Sequence, residues 1–105
     1  MKKCFVVIMI FLSSVCFAQQ MKINGQMPQH NSPKLYRIQV GAYKNINNAV
    51  WAFYRLRDAG LYPYYETYME YKRIVLVRIS ANNVPYMLNI LYNLVFTEVV
   101  IREEW

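Results

Sequence analysis

The sequence predicts an α+β domain whose elements follow the order β-α-β-β-α-β. Two stretches, offset by about 35 residues, show the same pattern of a strand, an asparagine pair and an apolar helix. The first stretch contains the run at residues 36–43 and the pair Asn47 and Asn48; the second contains the run at residues 72–79 and the pair Asn82 and Asn83. A duplicated unit this small cannot bury its own apolar faces, so both halves form a single domain.

Side chains alternate along the first predicted strand, which spans about residues 34–42. The apolar set, which we expect to face the helices, is Tyr36, Ile38 and Val40. The opposite set, which we expect on an open face of the sheet, is Arg37, Gln39 and Gly41.

Two helices are predicted from apolar residues at helical spacing. The first spans about residues 48–59, with Asn45 and Asn47 as candidate N-caps, Gly60 as its stop, and a buried stripe of Ala49, Ala52, Phe53 and Leu56. The second follows Asn82 and Asn83, has Pro85 in its first turn, and buries Val84, Met87, Leu88, Leu91 and Val95.

Three further strands complete the predicted sheet, near residues 61–68, 72–79 and 98–102. Pro63 removes a backbone donor, so its strand must either lie at an edge or begin after it. Right-handed crossovers then place both helices on one face of a four-stranded antiparallel sheet, which is a ferredoxin-like or RNP-like arrangement.

Residues 1–18 have the features of a secretory signal. Lys2 and Lys3 precede an apolar segment at residues 4–12 that is too short to cross a bilayer. Cleavage after Ala18 is expected, which predicts an exported protein of the periplasm or cell envelope without a membrane span. The alternative, lipidation of Cys16, is disfavoured because Val15 is not the small residue that such signals require.

The remaining chain divides into a flexible leader at residues 19–33 and a domain at residues 34–104. The leader contains Gly25, Pro28 and Pro33 among polar residues and has no apolar periodicity. The chain has 12 Lys and Arg against 6 Asp and Glu, and it stays basic without Lys2 and Lys3. A basic surplus suits an anionic partner, and export argues against nucleic acid.

The sequence offers no machinery for an enzyme. His30, the single histidine, lies in the predicted leader, and both cysteines lie in the signal. The acidic residues form no converging pair, and neither metal-ligand spacing nor a glycine-rich phosphate loop occurs. We therefore expect a non-catalytic protein without metal or cofactor.

The run YRIQVGAY at residues 36–43, followed by Asn48-Ala49 and a helix end at Gly60, resembles the start of the SPOR domain. SPOR domains are bacterial peptidoglycan-binding modules, and the resemblance extends over about residues 34–104. It implies the same β-α-β-β-α-β fold and binding of glycan strands that amidases have stripped of their stem peptides. It also implies a link to cell division or wall remodelling, with cell-wall amidases or septal proteins as partners.

The resemblance places the glycan contacts on the open face of the sheet. It assigns roles there to Gln39, to Ala42 after the glycine, to Tyr71 and Arg73 at the start of the third strand, and to an apolar residue near Ile101. Arg37 joins this set by alternation. Amide, guanidinium and tyrosine side chains suit the hydroxyl groups and apolar faces of a sugar.

Two other functions use the same fold. A protein–protein adaptor would recruit its partner through the tyrosine-rich strand at residues 61–68, although edge packing also explains most of those tyrosines. An RNA-binding domain of RNP type needs a pair of aromatic residues on its third strand. The run RIVLVR at residues 73–78 has none, so the glycan-binding function is preferred.

Overall fold

The structure is a computed structural model that describes residues 21–104. The predicted signal at residues 1–18, with Cys16, lies outside the described residues.

The described residues form two helices and a five-stranded mixed sheet. In chain order the elements are β1 (Lys22–Gly25), β2 (Leu35–Tyr43), α1 (Ile46–Asp58), β3 (Tyr64–Tyr68), β4 (Tyr71–Ser80), α2 (Val84–Asn93) and β5 (Glu98–Glu104), with a 3-10 turn at Ala81–Asn83 before α2. The strand order across the sheet is β1-β5-β2-β4-β3. Neighbouring strands from β2 to β5 are antiparallel, which confirms the predicted α+β fold.

The sheet has one strand more than predicted. β1 pairs in parallel with β5, from Lys22 opposite Glu98 to Gly25 opposite Ile101. This strand lies in the segment expected to be a flexible leader. Its four residues are largely exposed and carry no apolar periodicity, so only the pairing with the edge of β5 defines it as a strand.

Both helices pack on the same face of the sheet. Ala49, Ala52 and Leu56 of α1 belong to one buried cluster with Val84, Leu88 and Leu91 of α2. The strands contribute Ile38, Val40, Ile74, Leu76, Val99 and Ile101 to that cluster. Among residues 21–104, no helix lies over the opposite face of the sheet, which is called the open face below.

The ends of the elements follow local signals in the sequence. Asn45 caps α1, and its side-chain oxygen accepts a hydrogen bond from the Asn47 amide at 2.8 Å. β3 begins after Pro63 and forms the outer edge of the sheet, as a proline requires. One expectation is wrong: Val95 is 63% exposed, because α2 already ends at Asn93.

Candidate functional site

The strand register identifies the residues of the open face. Paired residues on neighbouring strands point to the same side of a sheet. Gln39 lies opposite Val75 on one side and Val100 on the other, and Arg37 lies opposite Arg102. None of these side chains belongs to the buried cluster under the helices. Arg37 and Gln39 therefore lie on the open face, each half-buried.

A β-bulge changes the alternation of β2 after Gln39. The register with β4 shifts there, so that Gly41 lies opposite Ile74 and Ala42 opposite Arg73. Because a bulge adds one residue to its strand, Ala42 lies on the open face, where its side chain is exposed. Gly41 instead turns toward the helices with Ile74, so the expectation that it would face the open side is wrong.

Gly41 makes room for an aromatic ring. A Cβ atom at this position would lie 2.5 Å from the hydroxyl oxygen of Tyr43 and 2.7 Å from its ring. Tyr43 packs against the buried cluster, and burial raises the pKa of its hydroxyl. The glycine of the YRIQVGAY run therefore has a packing role next to the site.

Ile101 cannot contact a ligand on the open face. It lies opposite Ile38, is only 1% exposed and belongs to the buried cluster. The residue that reaches the open face from β5 is its neighbour Val100, which lies opposite Gln39 and is partly exposed. A shift of one position along a strand exchanges the two faces, which explains the error.

Tyr71 and Arg73 lie on the open face of β4, as the resemblance implies. Arg73 stacks its guanidinium on Tyr68 of β3, with 3.9 Å from Cζ to the ring centroid. Its side chain is only 17% exposed and so is held in place. Tyr71 is half-buried, and the Lys44 ammonium lies 5.4 Å from its ring centroid.

Glu66 joins the two predicted arginines. Its Oε2 accepts a short hydrogen bond from Nη2 of Arg37, and its Oε1 lies 3.4 Å from Nη1 of Arg73. Arg37 belongs to β2, so its side chain crosses β4 to reach the edge strand. The Arg37 hydrogen bond is the main cause that lowers the pKa of Glu66; burial opposes it, and Arg73 adds to it.

Sequence reasoning missed Glu66, although a signal was present. Glu66 is the single charged residue of the strand YYETY, and it alternates with Tyr64 and Tyr68. The tight turn at residues 69–70 fixes the register of β3 and β4, which places Glu66 opposite Arg73. Reading the register outward from that turn would have found the ion pair.

A cleft of about 410 Å³ opens beside the bulge. The pairing of β2 with β5 ends at Gln39, and the two strands then separate. Gln39, Ala42 and Val100 line the cleft together with Val95 and Glu98, and residues that face the helices, such as Val40 and Phe96, also contribute to it. A larger cleft of about 560 Å³, lined by residues 26–29 and by residues of β2 and β5, contains Ile101 but none of the other residues predicted for the open face. The smaller cleft is therefore the better candidate.

Within residues 21–104, no three His, Cys, Asp or Glu side chains come close enough to hold a metal ion. Neither α1 nor α2 has the length and apolar composition that a membrane-spanning helix needs.

Comparison with known proteins gives structural matches alone. No protein-family model matches the chain, and no curated protein matches it significantly. A solved structure with the same fold is the peptidoglycan-binding domain of the B. subtilis cell wall lytic enzyme CwlC. It has 22% identity and a TM-score of 0.56, and the match covers 73% of this chain and 98% of that domain. The SPOR protein DedD matches with 25% identity and a TM-score of 0.49, over 67% of this chain and 39% of DedD.

The likeness to the CwlC domain spans nearly all of that domain. The described residues therefore share its fold.

Proposed function

We propose that this domain is a non-catalytic module that binds peptidoglycan on the open face of its sheet. The observation that carries the proposal is the uncovered face itself, where Gln39 and Ala42 line a cleft next to Arg73 and Tyr71. The shared fold with the peptidoglycan-binding domain of CwlC supports it.

The chemistry of this face suits a glycan strand. Gln39 offers both a donor and acceptors for sugar hydroxyl groups, and Arg73 offers several donors. Val100 and Tyr71 add apolar surface on either side of Gln39 and Arg73, against which the faces of pyranose rings can pack. Because the cleft opens where β2 and β5 separate, an extended chain can lie across the sheet without displacing any strand.

The finer parts of the proposal follow from the resemblance in the first strand. We place the protein in the cell envelope after export, on glycan strands from which amidases have removed the stem peptides. A role in cell division or wall remodelling, with amidases or septal proteins as partners, belongs to the same proposal.

Cosedimentation with purified sacculi tests this function. The protein, without residues 1–18, is mixed with intact sacculi and with sacculi treated with a cell-wall amidase, and the bound fraction is measured over a range of sacculus concentrations. We expect retention on both, and stronger retention after amidase treatment. Equal retention would refute the preference for stripped glycan, and no retention on either would refute peptidoglycan binding.

The exposed tyrosines of the sheet edge favour one alternative, a protein–protein adaptor. Tyr64 and Tyr68 on β3 are 55% and 47% exposed, and Tyr62 before it is 83% exposed. An edge strand has unpaired backbone groups that can pair with a partner strand. Replacing Tyr62 by serine separates the functions, because it removes the most exposed of these tyrosines and leaves Gln39 and its cleft unchanged.

A further inference from the structure

Arg37, Arg73 and Glu66 form an ion cluster on the open face that spans β2, β4 and the edge strand β3. One carboxylate bridges the two arginines, with one oxygen for each guanidinium. The arginines come from β2 and β4, and the carboxylate comes from the edge strand β3. Because the two guanidinium groups bind the two oxygens of one carboxylate, their spacing fits a planar anion with two oxygens.

The glutamate is the partner that can leave. The exposed fractions of the side chains are 17% for Arg73, 29% for Arg37 and 38% for Glu66. Tyr68 stacks on Arg73 and keeps it in position when its carboxylate is absent. Glu66 lies on the outermost strand and is the most exposed of the three, so its side chain is the one that can rotate into solvent.

We propose that Glu66 is an internal competitor, and that the ligand displaces it by presenting a carboxylate of its own to Arg37 and Arg73. The inference rests on the proposed function and names the group that this site recognises. It makes Glu66 a specificity-determining residue: a neutral glycan cannot replace its negative charge, whereas an anionic glycan can.

Amidase chemistry supplies such a carboxylate. The stem peptide is joined to the lactyl group of muramic acid through an amide bond, and hydrolysis of that bond leaves a lactyl carboxylate on the glycan. A peptide-bearing muramic acid presents a neutral amide at the same atom. Exchange of Glu66 for the lactyl carboxylate would therefore distinguish stripped strands from intact ones by charge, in addition to any steric effect of the peptide.

The test combines a protein variant with a chemical change of the ligand. Wild-type protein, Glu66→Gln and a control, Glu103→Gln, are each sedimented with amidase-treated sacculi before and after conversion of their carboxyl groups to methylamides. Glu103 is a suitable control because its removal changes the net charge equally. It lies opposite buried Tyr36, on the other face of the sheet, and pairs with Lys34 at 3.1 Å.

We expect masking of the carboxyl groups to weaken wild-type binding roughly tenfold, since charge-assisted hydrogen bonds are lost. Glu66→Gln should bind unmasked sacculi roughly two- to fivefold more tightly than wild type, as for the loss of a partly exposed ion pair. On masked sacculi, the affinity of Glu66→Gln should exceed that of wild type by much less. The affinity of Glu103→Gln should be close to that of wild type on both preparations. Circular dichroism and thermal unfolding verify that each variant is folded.

The possible results separate this inference from the proposed function. Equal binding of wild-type protein to masked and unmasked sacculi would overturn carboxylate recognition while leaving peptidoglycan binding intact. A Glu66→Gln affinity no higher than that of Glu103→Gln would show that Glu66 does not compete. Absence of binding to any preparation would overturn both proposals. If Glu66→Gln does not fold, the masking experiment on wild-type protein decides.

Discussion

Replacement of Val95 by glycine should stabilise the domain, because Val95 has a backbone conformation that favours glycine. Its φ is 63°, in the left-handed region, and it follows the end of α2. Gly60, with a φ of 88°, takes the same position after α1. The two backbone amides bond the carbonyl three residues earlier at 2.9 Å, Gly60 to Arg57 and Val95 to Tyr92. The repeat thus carries glycine at one helix end and a β-branched residue at the other.

The structure sets the expected magnitude. A non-glycine residue in this region is strained by about 1–3 kcal/mol, and a β-branched one falls in the upper part of that range. Glycine offsets about 0.5–1 kcal/mol of this gain, because it increases the conformational entropy of the unfolded chain. The Val95 side chain is 63% exposed, so its truncation loses only about 0.5 kcal/mol of burial. The net gain is about 1 kcal/mol, or about 4–8 °C in Tm for a domain of this size.

Thermal unfolding followed by circular dichroism measures this effect, with two control variants. Val95→Ala removes the same methyl groups but keeps a Cβ atom, so its Tm should rise much less than that of Val95→Gly. Gly60→Val is the reciprocal change, and it should lower the Tm through the backbone alone, since a Cβ there has no atom within 4 Å. A gain for Val95→Ala as large as that for Val95→Gly, or a lower Tm for Val95→Gly, would refute the argument from backbone strain.

Three further predictions concern the site. Gln39→Ala should weaken binding to amidase-treated sacculi about fivefold, as for one neutral hydrogen bond, and leave the circular dichroism spectrum unchanged; an unfolded variant would show a structural role. Arg73→Ala should weaken binding roughly tenfold, whereas Arg57→Ala, on the outside of α1, should hardly change it. Binding is measured by sedimentation, with each variant at a temperature where its free energy of unfolding is the same. Equal effects of the two variants would place the site elsewhere. The Arg37 hydrogen bond lowers the pKa of Glu66 in the folded protein below its value in the unfolded chain. The ionised carboxylate therefore stabilises the fold above the unfolded-state pKa, and this stabilisation is lost as the pH falls through the folded-state pKa. The free energy of unfolding, measured with urea, should therefore fall more for wild-type protein than for Glu66→Gln between about pH 5 and pH 3. Identical pH profiles would contradict a stabilising role for the ion pair of Glu66 with Arg37.

The predicted fold depended on local signals that the tertiary structure did not override. Alternation along residues 36–40 assigned the faces of β2, and Asn45, Gly60 and Pro63 marked the ends of elements. These signals act within a few residues, through backbone hydrogen bonds and allowed φ values, so a sequence displays them directly. β1 was missed because its definition as a strand depends on a partner about 75 residues away in the chain.

The candidate site divides in the same way. The sequence by itself determined that Arg37 and Gln39 share the open face, since both precede the extra residue of β2 and obey simple alternation; the earlier register shift, beside Arg37, adds its extra residue to β4. Only the tertiary structure decided which residues beyond the bulge lie on the open face. Gly41 lies on the helix side, and Val100, not Ile101, is the residue of β5 on the open face. The bulge and the pairing of distant strands set those faces, and neither leaves a periodic mark in the sequence. The ion cluster of Glu66 with Arg37 and Arg73 likewise depends on three strands being side by side, which the chain order alone does not state.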